Sequence, residues 1–305
     1  MPDSRVAWVF PGQGSQEPGM GREIYEREPA AREVFDRADR VLGRAISRLC
    51  FEGSAEELGK TSNSQPAIYV TSMAFMEAAR ASGRLGDAPA FVAGHSLGEY
   101  SALTAVGALA LDDGLRLVEA RGRATQAAAD ARAGKMAAIL GLDEEATEAV
   151  CREAGAELCN INAPGQIVIG GTVEAIERAC KLAVERGARR AMPLDVGGAF
   201  HTSLMQPAVE TMRAELESTT LRDTTVPIVT NDTGEPRSKA AEIRDELLYQ
   251  LTHPVRWVRC VEHMAEAGVT TFIEIGPGRV LSGLIKRIAP AAATVNINGI
   301  AALTA

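Results

Sequence analysis

The sequence lacks the features that mark secreted, membrane-spanning or metal-stabilised proteins. No uninterrupted apolar run approaches the length of a membrane span. The first apolar run, residues 6–10, is too short for a signal peptide. The five cysteines are odd in number and widely spaced, and no C-x-x-C occurs among them, which argues against a disulfide or zinc framework. We therefore expect a cytoplasmic protein with reduced thiols, no membrane partner and no structural metal.

Positive charge is also in short supply. The chain has 32 basic and 40 acidic residues, a net charge of −8, which does not favour nucleic acid or anionic membranes as bulk partners. Its hydrophobic content of 46% and charged content of 24% are typical of a globular enzyme. A length of 305 residues allows one large domain or two ordinary ones.

Gly94-His95-Ser96-Leu97-Gly98 is the most informative segment of the chain. It follows the apolar run 90–93, and small, helix-compatible residues follow it over 99–111. A G-x-S-x-G turn between a strand and a helix strains the backbone so that the serine hydroxyl stands clear of the sheet. The segment predicts that Ser96 is a nucleophile; the alternative is a plain turn between strand and helix.

Strand-length apolar runs alternate with helical segments, which predicts an α/β fold. At the two ends we expect strands at 6–10, 90–93 and 270–275 and helices at 65–80 and 280–288, with a further helix capped by Asp112 or Asp113 and running to about 129. The middle predicts strands at 135–142, 157–162, 166–170 and 190–196 and helices at 144–154 and 173–186. That βαββαβ order is ferredoxin-like. We expect an α/β-hydrolase-like large domain with a parallel sheet, residues 1–129 and 199–305, and an inserted ferredoxin-like small domain, residues 130–198.

A serine nucleophile needs a base, and the chain has only four histidines. His201 lies on a loop just after the last strand of the insert, where it could face a cleft or be a solvated loop residue. His253 and His263 fit structural positions better. No acidic residue is an obvious third member of a triad, since Asp195 lies at strand spacing, so a backbone carbonyl or an amide side chain could orient the imidazole instead.

Two further features have open interpretations. Pro11-Gly12-Gln13-Gly14-Ser15-Gln16 follows the first strand, but Glu17 and Met20 stand where phosphate-binding loops need glycine and lysine. This segment is therefore either a tight turn or a loop that donates an N–H group to a ligand. Arg121 and Arg123 lie on a predicted helix, where most arginines face solvent; one that faced a cleft would select a planar carboxylate.

Taken together, these segments resemble the malonyl-CoA:acyl carrier protein transacylases and the related acyltransferase domains of polyketide synthases. The resemblance covers essentially the whole chain. It is carried by six segments in order, which are Phe10-Pro11-Gly12-Gln13-Gly14-Ser15-Gln16, Gly94-His95-Ser96-Leu97-Gly98-Glu99-Tyr100, Arg121-Gly122-Arg123, Asn162-Ala163-Pro164-Gly165-Gln166, Ala199-Phe200-His201 and Ile275-Gly276-Pro277-Gly278.

The resemblance implies a role for each matching residue. Ser96 would be the acylated nucleophile and His201 its base, oriented by the main-chain carbonyl of Gln250. The N–H groups of Gln13 and Leu97 would form the oxyanion hole. The resemblance also implies four residues around the substrate, with Arg121 clamping the malonyl carboxylate and the others lining the site: Arg121, His95, Asn162 and Phe200.

The resemblance further implies a ping-pong malonyl transfer for fatty acid synthesis, without any cofactor or metal. Thr125-Gln126 departs from the Met-Gln of many relatives, and Phe200 favours malonyl over methylmalonyl. We expect a monomer whose acidic carrier protein contacts local basic residues, with these candidates: Arg186, Arg189, Arg190, Lys286 and Arg287. The alternatives are a discrete acyltransferase of a polyketide synthase, an acyl-thioester hydrolase and a non-catalytic docking module.

Overall fold

The computed structural model describes residues 5–304, and two separate sheets organise this part of the chain. The larger sheet contains six strands: β1 (Arg5–Phe10), β2 (Phe91–Gly94), β7 (Ile228–Val229), β8 (Pro236–Arg237), β9 (Val269–Ile275) and β10 (Ala293–Ile297). The smaller sheet contains four: β3 (Lys135–Leu140), β4 (Glu157–Ala163), β5 (Gln166–Gly171) and β6 (Arg190–Pro193).

Helices occupy most of the remaining described chain. Those before the smaller sheet are α1 (Arg22–Arg27), α2 (Pro29–Leu42), α3 (Ile46–Glu52), α4 (Ala55–Gly59), α5 (Thr61–Ala81), α6 (Gly98–Ala105) and α7 (Leu111–Ala131). Those from the smaller sheet onward are α8 (Glu144–Ala154), α9 (Val173–Glu185), α10 (Gln206–Ser218), α11 (Ala240–Tyr249), α12 (Trp257–Glu266), α13 (Val280–Ile288) and α14 (Ala301–Thr304), with a 3₁₀ turn at Ser203–Met205.

Strand β1 lies at the centre of the larger sheet because it is apolar on both faces. The strand order is β10-β9-β1-β2-β7-β8, and the pairs are parallel except for β7 with β8. Trp8 and Phe10 belong to the core on one face, and Ala7 and Val9 belong to the core on the other. A strand that alternates between two cores needs helices on both sides, as in α/β folds.

The smaller sheet is antiparallel, with the order β4-β5-β3-β6. Helices α8 and α9 pack on it around one apolar core, which confirms the expected ferredoxin-like unit beside the α/β sheet. The sheet and its helices occupy residues 135–193, inside the predicted insert. The domain bounds at 130 and 198 stay predictions, and residues 1–4 and 305 of the predicted large domain lie outside the described residues.

The chain returning to the larger sheet pairs with the edge of the smaller one. Val255 donates its N–H to the carbonyl of Cys159 (2.8 Å) and accepts from the N–H of Ile161 (2.8 Å). It therefore pairs with β4 as a short parallel bridge. On the far side, Arg287 of α13 donates to the carbonyl of Pro164 (2.7 Å) and to the side chain of Gln166. The β4–β5 hairpin is thus bound at two places, by the segment between α11 and α12 and by α13.

Several boundaries differ from those expected; helix α5, for example, begins at Thr61 instead of 65. The helix expected over 99–111 ends at Ala105, because Gly107 (φ +75°) turns the chain. Helix α7 begins after Ala110, so Asp112 and Asp113 do not cap it; they lie in its first turn, where carboxylates favour the helix dipole. The last strand of the insert ends at Pro193 instead of continuing to 196.

Close backbone approach explains the two glycines around Ser96. A Cβ on Gly94 would lie 1.9 Å from the backbone of Gly98, and one on Gly98 would lie 2.2 Å from the carbonyl oxygen of Phe10. Ser96 itself has a left-handed backbone (φ +53°), which costs energy in a non-glycine residue. The strand β1, the turn and α6 can therefore meet only if these positions carry no side chain.

We expect Gly94→Ala to lower the free energy of unfolding by about 1–3 kcal/mol or more, because backbone atoms must move apart to admit the methyl group. Gly283→Ala is the matched control: Gly283 is exposed in α13, and a Cβ there meets nothing within 4 Å. That control should raise the free energy of unfolding by about 0.5–1 kcal/mol through helix propensity. Urea denaturation measures both, and equal effects would contradict the close approach.

Candidate active site

Ser96 and His201 form a hydrogen-bonded pair at the turn between β2 and α6. Ser96 Oγ lies 2.7 Å from His201 Nε2. His201 Nδ1 lies 2.6 Å from the main-chain oxygen of Gln250, which can only accept a hydrogen bond, so Nδ1 carries the proton and Nε2 is left to accept from the serine hydroxyl. Gln250 directly follows α11, where the last carbonyls of a helix have no partner within it. The main-chain carbonyl that follows α11 thus orients His201 as a carboxylate does in a Ser-His-Asp triad.

The environment keeps His201 neutral, as a base requires. Burial and the positive charge of Arg121 lower the pKa of His201 from 6.5 to about 3, despite the hydrogen bond to Gln250. His201 is only 6% exposed and, like Ser96, has a left-handed backbone (φ +62°). Two strained residues facing each other are typical of a functional site.

Arg121 brings a buried positive charge to the nucleophile. It projects from α7 and is 4% exposed, whereas Arg123 on the same helix faces solvent and pairs with Glu119. The Arg121 guanidinium donates through Nη2 to Ser96 Oγ (3.0 Å) and to Gln250 Oε1 (3.0 Å), and through Nη1 to Gln65 Oε1 (2.8 Å). No carboxylate within residues 5–304 forms an ion pair with it. Burial lowers its pKa, yet from so high a value that the side chain stays charged at neutral pH.

Gln65 of α5 sets the direction of the guanidinium. Its Nε2 donates to the hydroxyl oxygens of Thr61 (3.0 Å) and Thr125 (3.1 Å), so its Oε1 is turned toward Arg121. Thr61 in turn donates to the side-chain oxygen of Gln13 (3.0 Å). The hydroxyl of Thr125 is therefore part of the support for Arg121.

Asn231 holds the strained turn itself. It follows β7, and its side chain accepts from the N–H of Ser96 (2.6 Å) and donates to the carbonyl of Gly94 (2.7 Å). Both bonds replace backbone partners that the tight turn cannot supply. Sequence reasoning missed Asn231 and Gln65; a buried polar residue at the carboxyl end of a strand is the signal for Asn231, but β7 has only two residues and was not recognised.

A cavity of about 390 Å³ opens in front of Ser96. Both sheets contribute to its wall: Met136, Asn160 and Val168 come from the smaller one, and the loop after β1 comes from the larger. Seven of the predicted site residues line it, namely Gln13, His95, Ser96, Arg121, Asn162, Phe200 and His201. Gln250 and Leu97 lie behind this lining, and Gln250 reaches the site through its contacts with His201 and Arg121.

His95 and Asn162 form a second pair on the cavity wall. The His95 Nε2 atom lies 2.8 Å from Asn162 Oδ1, and its ring lies 5.7 Å from that of Trp257. Burial lowers the pKa of His95. A neutral His95 that donates to Asn162 tethers β4 to the turn beside Ser96, which fits a lining role.

The two main-chain N–H groups predicted to form an oxyanion hole, those of Gln13 and Leu97, have no hydrogen-bond partner of their own among the described residues. A Cβ on Gly12 would lie 2.3 Å from the carbonyl oxygen of His95, so the loop carrying Gln13 packs directly on the turn carrying Ser96. Free amides beside a nucleophile are suited to stabilising developing negative charge.

Five exposed basic residues lie outside the cavity. Arg186 pairs with Glu153, and Arg287 is engaged with the β4–β5 hairpin, whereas Arg189, Arg190 and Lys286 form no ion pair within residues 5–304. In the same range no group of three acidic, histidine or cysteine side chains could hold a metal ion. No described helix has the length and apolarity needed to cross a bilayer.

Both the sequence and the structure match those of known proteins. Residues 7–296 match the family model described as acyl transferase domain. A malonyl CoA-acyl carrier protein transacylase of Bacillus subtilis is 48% identical over 290 residues, which cover 93% of this chain and 90% of the relative. The crystal structure of an acyl-carrier-protein S-malonyltransferase from Burkholderia pseudomallei superposes with a TM-score of 0.93 at 44% identity, covering 98% of each chain. A malonyl-transacylase in complex with a type II polyketide synthase acyl-carrier protein gives 0.94 at 40% identity, covering 99% of this chain and 98% of the other.

The Arg121 charge should control the protonation of His201. We expect Arg121→Gln to raise the pKa of His201 from about 3 toward 6.5, because one of the two main causes of its depression is removed. The matched control is Arg123→Gln, whose exposed side chain should leave the titration unchanged. NMR of the imidazole Cε1–H against pH measures the pKa. A His201 that titrates near 6.5 in the unsubstituted protein would contradict the assignment.

Proposed function

This chain belongs to the acyl transferase family, and we propose that it transfers a malonyl group from malonyl-CoA to the phosphopantetheine thiol of acyl carrier protein. The observation that carries the proposal is the buried Arg121 guanidinium, which has no carboxylate partner among the described residues and lies 3.0 Å from Ser96 Oγ. A buried cation beside a nucleophile selects a substrate that brings its own negative charge. The free carboxylate of a malonyl thioester is such a group, and the relatives carry malonyl transfer in their names.

The first half-reaction acylates Ser96. His201 Nε2 takes the hydroxyl proton as Ser96 Oγ attacks the thioester carbonyl, and the N–H groups of Gln13 and Leu97 receive the oxyanion. The carbon–sulfur bond breaks, the proton passes from His201 to the thiolate of CoA, and malonyl remains as an ester on Ser96. The Gln250 carbonyl stabilises the imidazolium that forms in between.

The second half-reaction reverses these roles. The carrier thiol gives its proton to His201 and attacks the ester, and Ser96 recovers the proton as the leaving group. One thioester replaces another, so the reaction needs no net energy input, and we propose that it uses neither a metal nor a redox cofactor. A hydrolase would need water in place of the thiol, and a docking module would not need the Ser96–His201 pair.

The polyketide alternative has the same chemistry with a different carrier protein. One solved relative is a malonyl-transacylase bound to a type II polyketide synthase carrier protein. We propose fatty acid synthesis as the main role, since the Bacillus subtilis transacylase is matched over 90% of its own length, as expected for a stand-alone enzyme rather than a domain of a larger synthase. We also propose that the protein acts as a cytoplasmic monomer; its five cysteines are unpaired thiols, four of them buried.

We expect Arg121→Ala to lower malonyl transfer more than about a hundredfold, because removing one partner of a buried charge pair costs about 2–5 kcal/mol. Acetyl transfer should rise relative to malonyl transfer, since acetyl has no carboxylate to bind. Arg123→Ala, on the same helix but exposed, is the control and should leave both unchanged. Intact-mass analysis after exposure to malonyl-, methylmalonyl- and acetyl-CoA, with peptide mapping, measures the adducts.

Ser96→Ala is the control for the site of the adduct and should carry none. A malonyl adduct on Ser96→Ala, or equal losses of malonyl and acetyl transfer in Arg121→Ala, would overturn the assignments of the nucleophile and the clamp. Release of CoA at the same rate with and without carrier protein would favour the hydrolase.

We further propose that the exposed basic residues receive the acidic carrier protein, with Arg189, Arg190 and Lys286 available for it and Arg186 and Arg287 partly engaged in their own contacts. Replacing the three available residues by Glu should raise KM for carrier protein by about tenfold or more and leave KM for malonyl-CoA unchanged. The triple variant Arg27→Glu/Arg40→Glu/Arg48→Glu carries the same change of charge on exposed side chains of α1, α2 and α3. Equal effects of the two triple variants in steady-state kinetics would reject the docking surface.

A further inference from the structure

Two carboxyl groups lie buried against each other behind Ser96, and neither belongs to the chemistry described above. Glu99 is on the first turn of α6 and is 0% exposed; Glu246 is on α11 and is 1% exposed. Each acts on the pKa of the other, and both adjoin Gln250, whose side-chain amide donates to Glu99 and whose N–H bonds the main-chain oxygen of Glu246 (2.8 Å). Two ionised carboxylates in such a place repel each other and lose their hydration, so the arrangement needs a proton.

Hydrogen bonding shows which carboxyl group is ionised. Glu99 accepts two donors, the N–H of Asn231 (2.8 Å) at Oε1 and the side-chain amide of Gln250 at Oε2. No donor within residues 5–304 reaches either oxygen of Glu246. A buried carboxylate without donors is costly, whereas a carboxylic acid can donate its own proton to the neighbouring carboxylate.

The electrostatic environment agrees with this assignment. Burial and the adjacent Glu99 raise the pKa of Glu246 well above its ordinary value. Burial also raises the pKa of Glu99, to about 7, but the hydrogen bonds from Glu246, Asn231 and Gln250 oppose that rise, so of the two groups Glu99 is the one that gives up its proton first. The other ionisable groups that act on the pair come from four neighbouring segments and are Tyr100, Arg121, Asp232, Arg237 and Cys260.

We propose that Glu246 is a carboxylic acid that donates a hydrogen bond to the Glu99 carboxylate, and that this pair is the positioning element for Gln250 and Asn231. The pair acts through those two residues and touches no reacting atom. Its kinetic consequence rests on the proposed acyl transfer, whereas its protonation state does not.

The effect on Gln250 follows from the direction of its amide. Because the Glu99 carboxylate can only accept, Gln250 must turn its Nε2 toward Glu99 and its Oε1 toward Arg121 Nη2. The same residue supplies the main-chain oxygen for His201. Glu246 lies one helical turn before it, and the N–H of Gln250 bonds the main-chain oxygen of Glu246 (2.8 Å), so both side chains lie on one face of α11. The Glu99 carboxylate thereby orients Gln250, which in turn contacts both Arg121 and His201.

The effect on Asn231 reaches the nucleophile. Glu99 accepts from the Asn231 backbone while the Asn231 side chain holds the N–H of Ser96 and the carbonyl of Gly94. The strained turn, the base and the clamp are therefore all supported from a single buried carboxylate.

The same isosteric substitution at the two neighbouring positions tests the proposal. In Glu246→Gln the new amide donates to Glu99 as the acid did, so we expect the rate of Ser96 acylation by malonyl-CoA to stay within about threefold, whereas Glu246→Ala should slow it about tenfold or more. In Glu99→Gln only one side-chain oxygen remains to accept from two donors, the N–H of Asn231 and the side-chain amide of Gln250. Either Gln250 flips and presents Nε2 to Arg121, or Asn231 loses its acceptor, and acylation should slow by about ten- to a hundredfold.

A spectroscopic readout separates positioning from simple loss of structure. The infrared carbonyl band of a protonated carboxylic acid should be present in the unsubstituted protein at neutral pH and absent in Glu246→Gln. The free energy of unfolding should also depend less on pH in Glu246→Gln. In the unsubstituted protein the raised pKa contributes stability that is full below the unfolded pKa, about 4.3, and is lost as pH rises toward the folded one.

The outcomes are decisive in either direction. Retained activity in Glu246→Gln with loss in Glu99→Gln and disappearance of the infrared band supports the pair. An unchanged band, or a Glu246→Gln variant as slow as Glu246→Ala, overturns it. If Glu99→Gln does not fold, the two Glu246 variants and the band still decide. If the unsubstituted protein forms no malonyl ester, the proposed function fails while the band still tests the pair.

Discussion

A guanidinium held away from water, 3.0 Å from the serine hydroxyl and without a carboxylate beside it among the described residues, is the interaction on which the site depends. Its charge acts in two directions. It keeps His201 neutral and so able to accept a proton, and it leaves a position that an anionic acyl group can occupy. Neutral acceptors, the side-chain oxygens of Gln65 and Gln250, orient the charge without cancelling it. A carboxylate in either place would have closed the site to an acidic substrate.

Main-chain and amide groups of the surrounding fold hold the two residues next to the Arg121 charge, Ser96 and His201. The end of α11 provides an oxygen for His201, and the start of α6 lies behind Ser96. Both reacting residues have left-handed backbones, and each is held by a side chain or carbonyl from a distant part of the sequence. Packing of the glycine-flanked turn between β1 and α6 offsets the strain. The backbones approach so closely there that a Cβ on either glycine would overlap main-chain atoms.

The sequence predicted the parts of this site that have local signals. The strand–turn–helix around Ser96, the buried strands β1 and β9, the bounds of α13 and the βαββαβ order of the insert all follow from apolar periodicity and glycine spacing. His201 could not be separated from a solvated loop histidine, because its partner is a main-chain oxygen 49 residues away. Gln65, Asn231 and the Glu99–Glu246 pair were missed for the same reason: their roles arise from long-range contacts that leave no periodic pattern. The cap assigned to Asp112 or Asp113 was wrong because several acidic residues fit the first turn of a helix equally well.

The pairing of Val255 with β4 has a consequence for selectivity. The segment that carries Gln250 runs directly into this pairing, and Arg287 fastens the other end of the same hairpin, so the smaller sheet cannot swing away from the larger one without breaking main-chain hydrogen bonds next to the base. Widening of the chamber between the sheets would therefore cost these hydrogen bonds. With the sheets held together in this way, the side chains of the cavity wall, Phe200 among them, set the space that is open to a bound group.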